Sequence, residues 1–331
     1  MASDARSRAE APERPAPGRQ ATRPMEVPPR GWLDVLQRTR RGIRDTNASI
    51  VAAGVAFYAF LALVPALIAV VAIYGLVANP ADVKQQITAF TDALPRDAQR
   101  LVSNQLSSIT RKAGTGTGIA ALLAIAAALW SASSGIAALN TGLTVVNRDD
   151  ETRGFLKRRL LALTLTIFTV VGVLLMLALV VALPSVLDSI GISGIGGTVL
   201  KLARWPLLAA VLLVGLGVIF RYGPQRRRPR WRWVTPGAIA AMIVGLVASI
   251  GFSIYVSLLG NYNKTYGALG AIIIMLLWLY LMAFAVLFGA AMNAELERQT
   301  ERDTTAGEER PMGERGAHAA DTIGPTRKAS S

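Results

Sequence analysis

The chain has 331 residues, of which 52% are hydrophobic and only 17% are charged, and this balance excludes an ordinary soluble domain. Cysteine is absent, which excludes disulfides, thiolate metal sites and cysteine nucleophiles. The formal net charge is +14, and its distribution between loops is more informative than the total.

The two ends of the chain have the composition of disordered segments. Residues 1–30 are rich in Pro, Ala and Arg, so we expect them and residues 299–331 to form disordered tails. Trp32, Leu36 and Ile43 follow at helical spacing between arginines. This pattern fits a short helix on an anionic membrane surface, and it fits equally the solvated turns before a first span.

Six apolar segments are each long enough to cross a bilayer, which takes about 20 helical residues. The sequence therefore predicts an all-α, polytopic membrane protein with six transmembrane helices inside a membrane domain at 31–298. Pro65 lies in the middle of the first segment, where we expect it to kink the helix. The predicted spans are 50–78, 117–142, 160–187, 201–221, 234–259 and 267–293.

Lysine and arginine positions predict the orientation of these spans. Of the 35 basic residues, 27 fall in segments on the same side of the membrane as the N-terminus. The loop "RYGPQRRRPRWRW" (221–233) alone holds six arginines and no acidic residue. Because cytoplasmic loops are enriched in Lys and Arg, we expect both termini in the cytoplasm.

The arginine loop also suggests a ligand. Its side chains could bind RNA phosphates, but contact with anionic lipid headgroups is the commoner role of a basic loop beside a span. Tryptophans at such a position are typical of the membrane interface. We therefore predict headgroup contacts and no nucleic-acid partner for a set of six residues, namely Arg226, Arg227, Arg228, Arg230, Trp231 and Trp233.

The loop between the first two spans, residues 79–116, is the longest loop between spans. Val83, Ile87, Phe90 and Leu94 repeat at helical spacing before Pro95, and the pattern continues after it. This predicts two amphipathic helices on the outer membrane face. They would form either a plain structural cover or a lid over a cavity.

Small and polar residues gather in the second and fifth spans. The stretch "LWSASSGIAALN" (129–140) has small residues at three- and four-residue intervals, and a second row repeats every fourth residue from Gly237 to Ser257. Such rows let helix backbones approach closely in lipid, which favours a packing seam. Hydroxyls on one helix face also fit the border of a polar groove. Both interpretations apply to Ser131, Ser133, Ser134, Gly135, Asn140, Gly245, Ser249 and Ser253.

A polar stretch, "NYNKTYGALG", precedes the sixth span. It contains Asn261, Tyr262 and Tyr266. Tyrosines at this position are usually interfacial anchors. The density of hydrogen-bonding groups also fits a structured turn that gates the span.

Acidic residues follow the same span at its other end. Glu295 lies near the C-terminus of the predicted helix, where a carboxylate is unfavourable against the helix dipole unless it is paired. We predict a partner for it among the cytoplasmic arginines, with Arg158 and Arg159 as the candidates.

Several stretches, in order along residues 31 to 298, carry a family resemblance: "AAGVAFYAFLALVPALIAVVAIYGL", "ALWSASSGIAALN", "ETRGFLKRRLLAL", "RYGP", "RWRWVTPGA", "NYNKTYGALGAIIIMLLWLYL" and "NAELER". They resemble the YihY/BrkB family of bacterial inner-membrane proteins, whose older label is ribonuclease BN. The resemblance implies a multi-pass six-helix bundle in the bacterial inner membrane. It implies no secure activity, since members are described as virulence factors, transporters or ribonucleases.

The residues do not support an enzyme. A metal-dependent nuclease needs several His, Asp or Glu ligands together, whereas the only histidine, His318, lies in a polar tail. We therefore predict no catalytic residue, metal or cofactor. Two functions fit: a transporter or flippase-like protein for a lipid or other amphiphile, and a non-transporting envelope scaffold associated with virulence. Membrane lipids are the expected partners, and the sequence leaves open whether the chain forms a homo-oligomer.

Overall fold

The computed structural model describes residues 17–77, 118–182, 194–258 and 268–326. The predicted loop helices of 79–116 and the predicted turn with Asn261, Tyr262 and Tyr266 lie outside the described residues. The described elements are helices: α1 (Pro29–Asp45), α2 (Ala48–Val77), α3 (Gly118–Asn147), α4 (Phe155–Leu177, extended by a π-helical turn at Ala178–Ala182), α5 (Gly194–Tyr222), α6 (Trp231–Leu258), α7 (Ala268–Glu297) and the short α8 (His318–Asp321).

Helices α2 to α7 are long and apolar enough to cross a membrane, and they confirm the six predicted spans. Helices α2, α4 and α6 begin before the predicted spans, and α3, α5 and α7 end after them. Helix α3 continues to Asn147 because its last polar side chains bond to carbonyls of the same helix: Thr144 Oγ1 donates to Asn140 O at 3.0 Å and Asn147 Nδ2 donates to Leu143 O at 2.7 Å. Arg148 follows in the left-handed region, with φ of 59°, and ends the helix.

The helices form one bundle around α7. Helix α7 packs against α6, α2, α3 and α1, while α4 packs on α3 and α5 packs on α6. All the extramembrane segments described here, namely 17–47, 148–154, 223–230 and 298–326, meet at one end of the bundle, which we call the terminal face. The other halves of the spans are called the distal halves.

Close packing is concentrated near the terminal face. The largest cluster of buried apolar residues includes Leu143, Phe220, Val234 and Leu287, all in the halves of their helices near that face. In the distal half of α7, by contrast, the consecutive residues Ala271, Ile272 and Ile273 are all exposed. Because successive residues differ by about 100° around a helix, this central helix is uncovered on several sides there.

The described parts of the two tails are folded, which differs from the predicted disorder. Glu301 N donates to Arg19 O at 2.8 Å, and Thr300 Oγ1 donates to Ala21 O at 2.7 Å. Arg230 N in the arginine loop donates to Thr304 O at 2.9 Å. Composition did not reveal this order because the polar groups of the tails are satisfied by backbone groups from other segments.

Helix α1 lies on the terminal face against α7. Its buried side includes Val35 and Arg38, and Leu33 and Leu36 are exposed on the other side. The contact of α1 with an anionic membrane surface stays a prediction. Helix α2 runs through Pro65 as one helix, so the predicted kink also stays a prediction.

Candidate functional site

The serines of the second span do not share one environment. Ser133 is fully buried and its Oγ donates to Trp130 O at 2.7 Å, while Ser134 Oγ donates to Ser131 O at the same distance. Ser131 itself is exposed. Of these three serines, Ser131 therefore presents the most accessible side chain to the surroundings of the bundle.

Gly135 and Asn140 lie where α3 packs closely on its neighbours. A Cβ at Gly135 would lie 3.1 Å from Ala62 Cβ and 3.3 Å from Ala59 Cα of α2. Asn140 is 6% exposed, and its Oδ1 has no hydrogen-bond partner in the described chain. A Cβ at Gly223 would lie 2.8 Å from that oxygen. Gly135 and Asn140 therefore both lie in closely packed contacts between segments.

The small-residue row of α6 contacts α7 along only part of its length. A Cβ at Gly245 would lie 3.7 Å from Met282 Sδ, and the Trp278 indole nitrogen donates to Ser249 Oγ at 3.3 Å. Ser253, the next member of the row, is exposed. A step of four residues turns about 40° around the helix, so the row gradually leaves the contact with α7.

The tightest contact of this row lies near the terminal face. A Cβ at Gly237 would lie 2.1 Å from Gly289 O, and a Cβ at Gly289 would lie 2.3 Å from Gly237 O. Asn293 bridges the same crossing, since its Oδ1 accepts from Gly237 N at 2.7 Å and its Nδ2 donates to Val234 O at 2.9 Å. These contacts hold the backbones of α6 and α7 together.

Glu295 is paired, but not with the predicted arginines. Its Oε2 lies 3.0 Å from Arg38 Nε, and its Oε1 lies 2.8 Å from Arg298 Nη1. The prediction of Arg158 or Arg159 was wrong because both belong to α4, whereas α1 lies against α7. Arg38 also donates to Gln299 Oε1 at 2.6 Å, so the pair joins α1, α7 and the C-terminal segment.

Glu297, two residues further along α7, forms a second buried ion pair. Its Oε2 accepts from Arg226 Nη2 at 2.5 Å and from Thr304 Oγ1 at 2.7 Å. The Arg226 and Glu297 side chains are 2% and 1% exposed. The sequence did not assign Arg38 to Glu295 or Arg226 to Glu297, because these partners are distant in the chain.

Most of the arginine loop is used within the protein, which corrects the predicted lipid contacts. Arg226 is buried in its ion pair and Trp233 is 1% exposed, so neither reaches a headgroup. Arg227 lies 3.8 Å from Asp303, and Arg230 Nε donates to Thr305 O at 3.0 Å. Two residues of the predicted set remain exposed for lipid contact, Arg228 and Trp231.

One basic side chain lies beside a span, where the sequence analysis did not place it. The guanidinium carbon of Arg159 lies 4.3 Å from the centroid of the Trp130 ring, and its Nη2 donates to Trp130 O. The predicted third span began at residue 160, but α4 begins at Phe155 and therefore includes Arg159. The sequence feature that could have placed Arg159 in this helix is the run of basic residues directly before the apolar segment.

A cavity of about 510 Å³ opens on the terminal face beside Asp149. Asp149 Oδ1 accepts from His318 N at 2.9 Å, and its Oδ2 is buried without a partner in the described chain. Burial raises the pKa of Asp149 to about 6, with smaller contributions of the same sign from Glu297 and Asp150, although Arg226 opposes the shift. Burial also lowers the pKa of His318.

We expect Asp149→Asn to stabilise the protein at neutral pH. A folded-state pKa raised above the ordinary value of 3.8 means that the ionised carboxylate destabilises the fold fully above about pH 6, and that this cost fades as pH falls toward 4. The gain should be on the order of 3 kcal/mol at pH 7.5 and should largely disappear near pH 4. Thermal unfolding across this range measures it. Asp150→Asn, at the exposed neighbour, is the matched control and should show no such gain.

Among the described residues, no three His, Asp or Glu side chains lie close enough together to hold a metal ion. The described parts of the six spans contain no Asp, Glu or His apart from Glu295 and Glu297. The site is therefore a set of buried ion pairs at one face, a glycine crossing, and scattered hydroxyls together with Arg159 along the spans.

Comparison with known proteins agrees with this architecture. A family model described as "Virulence factor BrkB" matches residues 39–313. YfkH of Bacillus subtilis, named as a ribonuclease-like protein, is 35% identical over 181 residues, which cover 53% of this chain and 65% of YfkH. A UPF0761 membrane protein of Pseudoalteromonas translucida is 26% identical over 293 residues, covering 83% of this chain and 89% of that protein. No solved structure shows a significant match.

Proposed function

The chain belongs to the virulence factor BrkB family of membrane proteins, and we propose that it is a transporter or flippase-like protein that moves a lipid or another amphiphile. In this proposal it lies in the bacterial inner membrane with the terminal face in the cytoplasm. The orientation is supported by the 27 of 35 basic residues in segments that share the side of the N-terminus.

The contrast between the two halves of α7 carries the proposal. Near the terminal face, Leu287 and Leu296 are fully buried and the glycine crossing and two ion pairs join the surrounding segments. In the distal half, Ile273 and Trp278 of the same central helix are 47% and 38% exposed. In this proposal, the exposed surface of α7 among the described residues offers lateral access to an amphiphile from one leaflet.

The chemistry of the spans supports an amphiphile as the cargo better than a proton-coupled solute. Ion-coupled transport uses titratable groups at depth. The described spans provide hydroxyls instead, and Ser131 and Ser253 are exposed. YfkH is named as ribonuclease-like, but we infer no nuclease activity for this chain, since the described residues bring no cluster of acidic or histidine ligands together.

A lipid-movement assay tests the proposal. The purified full chain is reconstituted into liposomes that carry a fluorescent phospholipid, and a membrane-impermeant quencher reports lipid that reaches the outer leaflet. We expect faster movement than in protein-free liposomes, and a several-fold slower rate after combined Ser131→Ala and Ser253→Ala substitution. Ser133→Ala is the matched control, because that hydroxyl is buried and bonded within its own helix.

Two results would contradict the proposal. Wild-type protein that moves no labelled lipid above the protein-free rate would favour the scaffold, in which the small residues only pack helices. Movement that is unchanged in the double variant would place the route away from these hydroxyls.

A further inference from the structure

We propose that Arg159 and Trp130 form a binding site for the phosphate group of a membrane phospholipid, at the place where α4 packs on α3. The inference rests on the proposed function and names its substrate class, a lipid with an anionic phosphate. Arg159 and Trp130 belong neither to the buried ion pairs nor to the glycine crossing.

The guanidinium of Arg159 is positioned by Trp130, but no described carboxylate balances its charge. It stacks on the Trp130 ring, with 4.3 Å from the guanidinium carbon to the ring centroid, and Nη2 donates to Trp130 O. Its Nε is buried and has no hydrogen-bond partner in the described chain. No described carboxylate pairs with Arg159, in contrast to Arg38 and Arg226, each of which has a buried glutamate.

The position of the pair in the bundle explains why an anion is required. Trp130 lies 17 residues before Asn147, the end of α3, which corresponds to about 25 Å along the helix axis. Arg159 lies only one turn into α4, so the stagger of the two helices brings a terminal arginine beside the middle of a span. An ionised group at such a position is costly unless it has a partner.

The surroundings select the kind of anion. Trp130 is 49% exposed, and the neighbouring residues Leu156 and Leu160 of α4 are 65% and 54% exposed. The site therefore opens onto the apolar surface of the spans. Arginine presents a planar fork of donors that matches a phosphate, and the exposed leucines and indole can contact acyl chains. A free phosphate would gain only the first of these contacts.

Lipid binding to the purified full chain tests the site. Native mass spectrometry compares phosphatidylglycerol with diacylglycerol of the same acyl chains, which lacks the phosphate. We expect wild-type protein to bind the phospholipid and not the diacylglycerol, and Arg159→Ala to weaken phospholipid binding about tenfold or more, since charge-assisted hydrogen bonds are lost. Arg158→Ala, at the exposed neighbouring arginine, is the control and should bind like the wild type. Trp130→Leu, which removes the stacking ring, provides a second variant should Arg159→Ala fail to fold, and we expect it to weaken binding as well.

Three outcomes would overturn the proposal. One is phospholipid binding that is unchanged in folded Arg159→Ala or Trp130→Leu protein, and another is equal binding of diacylglycerol. The third is complete competition by millimolar inorganic phosphate, which would assign the site to the free anion. If wild-type protein binds phospholipid through Arg159 but moves none in liposomes, the binding site stands and the transport proposal fails. If lipid moves while Arg159→Ala binds normally, only the binding site fails.

Discussion

Replacing Arg226 with methionine should lower the free energy of unfolding by about 3–5 kcal/mol, because it leaves Glu297 buried without a charged partner. Arg226 Nη2 donates to Glu297 Oε2 at 2.5 Å, and Nη1 donates to Asn147 Oδ1 at 3.0 Å. The Glu297 side chain is 1% exposed, so water cannot replace the lost donor. The loss is measured by heating the purified protein and detecting the remaining folded fraction by size-exclusion chromatography.

Two comparisons make this prediction specific. Arg228→Met removes an equal charge two residues away, but Arg228 is exposed and stacks on Tyr222 at 4.7 Å, so its loss should change stability little. Combining Arg226→Met with Glu297→Leu should recover much of the lost stability, since an apolar pair can replace a buried ion pair. Equal unfolding temperatures for Arg226→Met and Arg228→Met would show that the pair does not stabilise the terminal face.

Replacing Gly237 with alanine should destabilise the bundle by about 3 kcal/mol or more, because the added methyl group has no space. Its Cβ would lie 2.1 Å from Gly289 O and 2.4 Å from Asn293 Cγ. The first of these atoms belongs to a helix backbone and cannot rotate away. The two helices would have to separate, which would also break the Asn293 bonds to Gly237 N and Val234 O.

The same helix offers matched controls for this prediction. A Cβ at Gly251 would meet nothing within 4 Å, so Gly251→Ala should be neutral or should stabilise the helix by up to about 1 kcal/mol. A Cβ at Gly245 would make ordinary contacts of 3.7 and 3.8 Å, so that substitution should also be tolerated. Unfolding temperatures that do not separate Gly237→Ala from these two variants would contradict a close backbone crossing.

Together the ion pairs and the glycine crossing connect the described segments of the terminal face. Arg38, Arg226 and Asn293 each connect segments that are far apart in the sequence. No described ion pair lies in the distal half of α7, where the Trp278 indole donates to Ser249 Oγ and Ile272 is exposed. A conformational change that admits a lipid would therefore meet less resistance in the distal halves.

The sequence alone determined the number of spans and the all-helical class, because hydropathy and segment length are local properties of the chain. The family followed from the resemblance of several sequence stretches, and the family model agrees with it. For the row that begins at Gly237, the sequence left two interpretations open, a packing seam and the border of a polar groove. Only the tertiary structure decided which part of that row meets α7, because contact depends on the slow turn of the row around its helix.

The buried ion pairs could not be predicted from the sequence, because they also depend on how the helices are arranged. Arg38 is 257 residues from Glu295 and Arg226 is 71 residues from Glu297, and composition does not encode the lateral arrangement of helices that brings them together. The tails were expected to be disordered because of their composition, yet Thr300 and Thr304 are buried, with their hydroxyls bonded to other groups of the chain. Likewise, Arg159 contacts Trp130 because α3 and α4 are staggered along their axes. The sequence of either helix does not determine this stagger.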